Sequence, residues 1–254
     1  MRLFRRFCIL LGFSCVISLA IAQSAPDQRP VRRMDGGVSG RMESIFVPPK
    51  ARAPFSLTLA TEWSRPLGNG GTFTLANERR IVRDSKGRIY QERWILVPKG
   101  GKIKSHMDVF QITDPEQHTW LNCVTATKVC DLYGYQLTTH DNYQPAVGTS
   151  GPLPDGSGFR QHEDLGGGSA EGVETHGYRE TTTFNPGVMG NDAPMVTTRE
   201  FWYSPHLAIN MISIVDTPQT GRQVFTVKDL TESEPDPGFF LVPEDYQIVD
   251  RRKE

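Results

Sequence analysis

Gly71-Thr72-Phe73-Thr74-Leu75-Ala76-Asn77-Glu78-Arg79-Arg80-Ile81-Val82-Arg83-Asp84-Ser85-Lys86-Gly87-Arg88-Ile89-Tyr90-Gln91-Glu92-Arg93-Trp94-Ile95-Leu96-Val97-Pro98 decides the fold class. Phe73, Leu75 and Ile81 share one parity, the period of a strand with one face turned inward. Asp84-Ser85-Lys86-Gly87 interrupts the run. Asp opening and Gly closing such a quartet suit a type I turn followed by a left-handed residue, a common hairpin connection. That turn fixes a register in which Asp84 faces Arg88, Val82 faces Tyr90 and Arg80 faces Glu92. The charged side chains Glu78, Arg79, Arg80, Arg83, Arg88, Glu92 and Arg93 then form a solvated cross-strand ion lattice, with an anion-binding patch as the functional alternative.

Working outward, further strand patterns fall at residues 107–113, 173–184, 196–203, 209–215, 223–230 and 246–249. Thr217-Pro218-Gln219 with Gly221 marks the turn between two of them. Outside the N-terminus no stretch keeps a 3.6-residue apolar period over three turns. Ser204-Pro205 and Asp236-Pro237 are the places where a short helical turn can start, because Pro suits the first helical position. The expected class is mainly β: a single curved antiparallel sheet, open and half-barrel-like, with one or two short helical turns.

The segment Trp120-Leu121-Asn122-Cys123-Val124-Thr125-Ala126-Thr127-Lys128-Val129-Cys130-Asp131-Leu132-Tyr133 reads as a second hairpin. Pairing Cys123 with Cys130 also pairs Val124 with Val129 and Leu121 with Leu132. Facing antiparallel residues lie within a disulfide's reach, so a bridge is expected in an oxidising compartment. Six intervening residues do not make a CxxC redox pair, and no second cysteine pair is present for zinc.

Residues 1–22 have the form of a signal peptide. Arg2, Arg5 and Arg6 precede an apolar run from Phe7 to Ala20, and Ala20-Ile21-Ala22 supplies the small residues of a cleavage site. The run is shorter than the roughly 20 residues of a spanning helix. Cleavage near Ala22 removes Cys8 and Cys15 and places the mature chain in the periplasm or the medium. The whole chain holds 28 basic and 29 acidic residues; losing three Arg and no acid leaves a formal charge of −4. That balance argues against nucleic-acid binding, and no later apolar segment is long enough to span a membrane. Residues 23–54 form a Pro/Arg/Gly-rich arm anchored at Ile45-Phe46-Val47. Residues 55–250 form the β domain, with a Gly/Pro-rich flexible loop at about 139–169, and 251–254 a tail.

The candidate chemistry is sparse. His140, His162 and His176 with neighbouring acids are weak candidates for a metal site, but none has the short spacing that puts two imidazoles on one face. Gly166-Gly167-Gly168-Ser169 lacks the Gly-Lys-Ser/Thr ending of a phosphate loop, and no Gly-x-Ser-x-Gly elbow occurs. No catalytic residue and no cofactor is assigned. Trp63, Trp94, Trp120, Trp202 and Tyr203 are either core or the lining of a groove for an apolar or carbohydrate ligand.

Several phrases together carry a resemblance: Phe46-Val47-Pro48-Pro49 before Ala53-Pro54-Phe55, the run from Arg83 to Arg93, Ile112-Thr113-Asp114-Pro115, Gly190-Asn191-Asp192, Glu200-Phe201-Trp202-Tyr203-Ser204, and Ser233-Glu234-Pro235-Asp236-Pro237 leading to Pro243-Glu244-Asp245-Tyr246. The chain resembles an uncharacterised family of secreted acidobacterial proteins, which implies no catalytic assignment. More weakly, its C-terminal half is similar to periplasmic lipoprotein-carrier and lipoprotein-sorting proteins. There a Trp-bearing strand, an apolar strand, a Gly turn and another strand precede Phe239-Phe240 and a final strand. That similarity implies an open antiparallel half-barrel holding acyl chains, although the helices that cap such a fold are not legible here.

Three functions follow as expectations. The first is a non-enzymatic envelope protein binding a lipid-like or other amphiphilic ligand, or an envelope protein partner. The second is a structural or interaction protein without a small ligand. The third is a metal-dependent hydrolase using His140, His162 and His176.

Overall fold

The hairpin at Asp84–Gly87 adopts the expected register: Val82 faces Tyr90, Ile81 faces Gln91 and Arg83 faces Ile89. Gly87 takes a left-handed φ of 85° and donates its N–H to the Asp84 carbonyl at 3.0 Å. The computed structural model describes residues 45–136 and 148–252. The signal peptide, most of the 23–54 arm, residues 139–147 with His140, and the end of the 251–254 tail lie outside the described residues.

The strands are β1 (Phe55–Pro66), β2 (Thr72–Arg83), β3 (Ile89–Trp94), β4 (Val97–Pro98), β5 (Met107–Asp114), β6 (Thr119–Val124) and β7 (Val129–Gly134). They continue with β8 (Gly151–Pro152), β9 (Gly158–Ala170), β10 (Val173–Phe184), β11 (Met195–Ser204), β12 (Ile209–Thr217), β13 (Gly221–Thr231) and β14 (Gln247–Asp250). Among the described residues a 3-10 turn, Pro237–Phe240, begins as expected at Asp236, whose side chain accepts the Gly238 N–H. The fold is thus mainly β with little helix.

All the strands join one sheet in the order β14-β7-β6-β5-β3-β2-β1-β13-β12-β11-β10-β9-β8, with β4 beside β2. The sheet stays open, since its outer strands β14 and β8 do not pair with each other. The chain starts at the middle with β1, builds out to β7, resumes at the far edge and returns to lay β13 against β1. Every pairing is antiparallel except β14 with β7, which is parallel. This corrects the purely antiparallel expectation. A hairpin forces reversal, whereas β14 reaches its neighbour through the crossing segment 232–246 and is free of that constraint.

β1 goes beyond the strands expected from the sequence, although its alternation is regular: Phe55, Leu57, Leu59 and Thr61 are buried between half-exposed neighbours. The strand β9 is a larger correction, because it occupies residues 158–169, the last part of the stretch expected to be a flexible loop. Its glycines serve packing. A Cβ on Gly168 or on Gly177 of β10 would come within 2.6 and 2.9 Å of the Trp202 ring, so the indole lies over both positions. Gly166, at φ 78°, accommodates a bulge that leaves Leu165 out of register.

Directly paired residues share a face, and on that rule the sheet has two cores on opposite sides. Phe55, Leu57, Leu59, Ile81, Ile209, Met211, Phe225 and Val227 form one with Ile45 and Leu207. Val82, Phe110, Ile112, Cys123 and Cys130 form the other, covered by Phe239, Phe240, Val242 and Tyr246 of the crossing segment. Cys123 and Cys130 face each other in β6 and β7, with Cα atoms 3.9 Å apart, and are joined by a disulfide.

The turn between β2 and β3 ties these parts together. Arg83, fully buried, donates to the carbonyls of Ala53 (2.9 Å), Pro48 (3.0 Å) and Leu207 (2.7 Å) and lies over the Phe55 ring. Asp84, also buried, accepts from the Lys86 and Arg88 amides and from Arg88 Nε. Glu234 accepts the Ser85 N–H, and Lys50 donates to the carbonyls of Pro205 and His206. The phrases around Pro48 and Ala53, from Arg83 to Arg93, and around Glu234, three of those that carry the sequence resemblance, meet at this joint.

Candidate ligand groove

β2 keeps β3 as its backbone partner only from Ile81 to Arg83; nearer its start, at Leu75 and Ala76, the partner is β4. Between these points the ladder parts and side chains span the gap. Asn77 Nδ2 donates to the Trp94 carbonyl at 2.6 Å, and Arg79 Nη1 to the Glu92 carbonyl at 3.1 Å. On the other face of β3 the Glu92 carboxylate accepts from the Arg80 amide, the Trp94 indole and the Tyr90 hydroxyl. The opening is a cavity of about 270 Å³ bounded by Thr61, Asn77, Arg79, Arg93, Trp94, Ile95, Leu96 and Phe225. Arg93 also borders a second cavity of about 250 Å³, where Ile45, Phe46 and Val47 run past Ile89, Thr113 and Trp120.

A polar row leads away from Arg93 on the same face. Its guanidinium donates to Gln111 Oε1, Gln111 Nε2 donates to Asn122 Oδ1 at 2.9 Å, and Asp131 accepts from Arg251 Nε at 3.0 Å. Burial works against the charged forms of both Arg79 and Arg93; for Arg79 the Arg93 charge adds to this and Glu92 opposes it. The expectation of a solvated ion lattice therefore holds for Glu78 and Arg80, which are exposed, and fails for Arg79 and Arg83. Strand alternation sends the odd-numbered arginines to the covered face, a split that a cluster of like residues conceals.

The five sequence-nominated aromatics do not line one surface. Trp94 borders the first cavity and Trp120 the second, where Trp120 rests against Tyr133 at a centroid distance of 5.2 Å. Trp94 pairs with Met107 and donates its indole N–H to Glu92, on the face of the second core. Trp63 lies instead on the face of Trp120 near the end of β1, with Arg65 over its ring and its indole donating to the Thr220 carbonyl. Tyr203 is buried, and Trp202 lies on the opposite face, its Nε1 donating to Glu200, which is also held by Arg179. A separate cavity of about 340 Å³ lies under the crossing segment, lined by Tyr90, Met107, Phe110, Phe239, Leu241 and Tyr246. There burial, then Glu92, pushes the Tyr90 hydroxyl above its usual range.

The histidine candidates part. His162 pairs across the ladder with Glu180, and His176 with Gly167. Their positions are offset by about 13 Å along the strands, too far to share one ion. His176 Nε2 meets Asp164 Oδ1 at 2.5 Å instead. Among the described residues no three His, Cys, Asp or Glu side chains gather as a metal group, and His140 lies outside them. Nor is any described helix long and apolar enough to cross a membrane.

No protein-family model matches the chain, and no curated protein matches it. Among solved structures it is similar to a chain of the Pseudomonas aeruginosa MucA/MucB complex, at 13% identity and a TM-score of 0.38, covering 79% of this chain and 59% of that one. A crystal structure of MucB gives 11% identity and a TM-score of 0.35, with 79% and 61% covered. This chain thus spans about three-fifths of the length of those two. LprF from Mycobacterium bovis gives 11% identity and a TM-score of 0.27, with 73% and 90% covered.

Proposed function

We propose that this protein is an exported, non-enzymatic envelope protein whose open sheet holds an amphiphilic ligand in the groove between β2 and β3. The observation that carries the reading is the parted ladder. A closed hairpin satisfies its backbone with backbone; here Asn77 and Arg79 take over that task, and the space so made is bordered by Trp94, Ile95, Leu96 and Phe225. Apolar walls with a few convergent polar groups are the usual make-up of a small-molecule site. Trp94 and Trp120 are the nominated aromatics that this reading retains as ligand-contacting; Trp63, Trp202 and Tyr203 act in packing.

Native mass spectrometry of the chain purified from an oxidising periplasm without detergent tests this. The expected result is a bound mass that disappears on denaturation. A bare monomer overturns the ligand reading. An oligomer without bound mass favours an envelope interaction protein instead, for which the outer strand β14, with exposed Ile248, offers an edge.

A further inference from the structure

The cavity between β2 and β3 carries more charge than an apolar tail needs. Arg79 is 5% exposed and Arg93 half-buried, and both border the same space. An arginine keeps its proton in a protein, so two neighbouring guanidinium groups repel each other there. Arg93 donates to a neutral amide oxygen, Gln111 Oε1, at 3.3–3.4 Å. Guanidinium donors bond more strongly to an oxyanion than to a neutral acceptor. An anion between the two would also relieve their mutual repulsion.

Asn77 supplies an independent observation on the same wall. Its Nδ2 is committed to the Trp94 carbonyl, while its Oδ1 is buried without a hydrogen-bond partner. A buried acceptor of this kind calls for a donor. The cavity thus presents two cationic donors and one neutral acceptor, beside the apolar side chains of Leu96 and Phe225. Together with the adjoining cavity past Arg93, its volume falls inside the range of about 300–1,000 Å³ typical of ligand sites.

Building on the amphiphile reading above, we infer that the groove selects an acidic amphiphile. Its oxyanion lies between Arg79 and Arg93, an O–H or N–H of the same head group donates to Asn77 Oδ1, and the tail runs past Arg93 towards Trp120. The ligand class is an acyl chain on a head that carries both an anionic oxygen and a neighbouring donor.

N-Lauroylglycine and its methyl ester make the test. Both keep the amide N–H and the tail, and only the acid keeps the charge. By calorimetry the acid should bind the wild-type protein about tenfold more tightly than the ester. Arg93→Gln should cut that preference severalfold, because Arg79 alone then faces the oxyanion, and Arg93→Lys should restore part of it. Asn77→Leu should weaken acid and ester alike. Equal binding of the two by the wild-type protein, a comparison that needs no variant, overturns the head-group assignment and leaves the amphiphile reading standing. A preference undiminished in Arg93→Gln likewise overturns it. If neither compound binds, the amphiphile reading itself fails and this inference with it.

Discussion

Strands β1, β2, β12 and β13 bury one face of the sheet, whereas β3, β5, β6 and β7 bury the other. The change of side occurs within two residues: Ile81 belongs to the first core and Val82 to the second. The first core is covered by chain from the arm, Ile45 and Val47, together with Leu207 of the turn between β11 and β12. The second is covered by the crossing segment, with Phe239 against Tyr90 and Tyr246 against Phe110, and is stapled by Cys123–Cys130. With almost no helix to roof it, one sheet uses its own extended segments as covers, one on each side. The groove lies where the two regimes meet, because β2 and β3 cannot stay fully paired while their buried faces diverge.

The largest effect should come from breaking the joint that both regions share. Arg83→Met leaves the carbonyls of Pro48, Ala53 and Leu207 buried without their donor and should cost about 3–5 kcal/mol. Urea denaturation measures it, and an unchanged midpoint would remove the joint from the picture. Next come Leu59→Ala in the first core and Phe110→Ala in the second, each expected to cost about 3 kcal/mol. They sit on opposite faces and three strands apart, about 14 Å. Their double variant should therefore be additive to within about 0.5 kcal/mol. A coupling well above that would mean the two cores are one.

Removing the disulfide sharpens the contrast further. Cys123→Ala with Cys130→Ala should lose about 2.5 kcal/mol, the chain-entropy value for so short a loop. Hydrogen exchange should rise in β6, β7 and β14 and stay level in β1, β12 and β13. Uniform acceleration would show that the staple serves the whole sheet. The smallest effect concerns acid. The ion pair with Lys128 lowers the Asp245 carboxyl below its usual value of 3.8. A lowered carboxylate stabilises the fold above its unfolded pKa and loses that contribution as pH falls through the folded one. Below about pH 4 the crossing segment should therefore lose exchange protection before the first core does. Asp245→Asn should show the looser segment at every pH; a segment that loosens in acid to the same degree in this variant would exclude the pair as its cause.

Local chemistry made much of the fold legible. The Asp84–Gly87 quartet fixes the first hairpin, the facing cysteines fix the second, and Asp236-Pro237 starts the 3-10 turn at Pro237–Phe240, all from residues close in sequence. β9 was hidden because a Gly-rich stretch loses its apolar alternation. Its glycines answer to the Trp202 ring, which arrives from a strand two places away. The groove was half legible. Trp94 and Trp120 stood out as aromatics, but nothing nearby in sequence tells that Arg79 is covered while Arg80 is not. That distinction comes from β1, whose Leu59 faces Arg79, and from the cover over that face.

β1 lies in the middle of the sheet, yet its two neighbours are made at very different times. β2 follows at once, whereas β13 arrives only after most of the chain, so Thr58 waits for Lys228. A chain emerging N-terminus first can fold the β2–β3 and β6–β7 hairpins early. Its central strand keeps a bare edge until almost the last residues appear. Closing so long a loop is slow, and a strand left unpaired invites pairing with another copy. Folding in this protein is therefore a problem of timing: the oldest strand is completed by one of the youngest, and truncation before residue 221 leaves the sheet open at its centre.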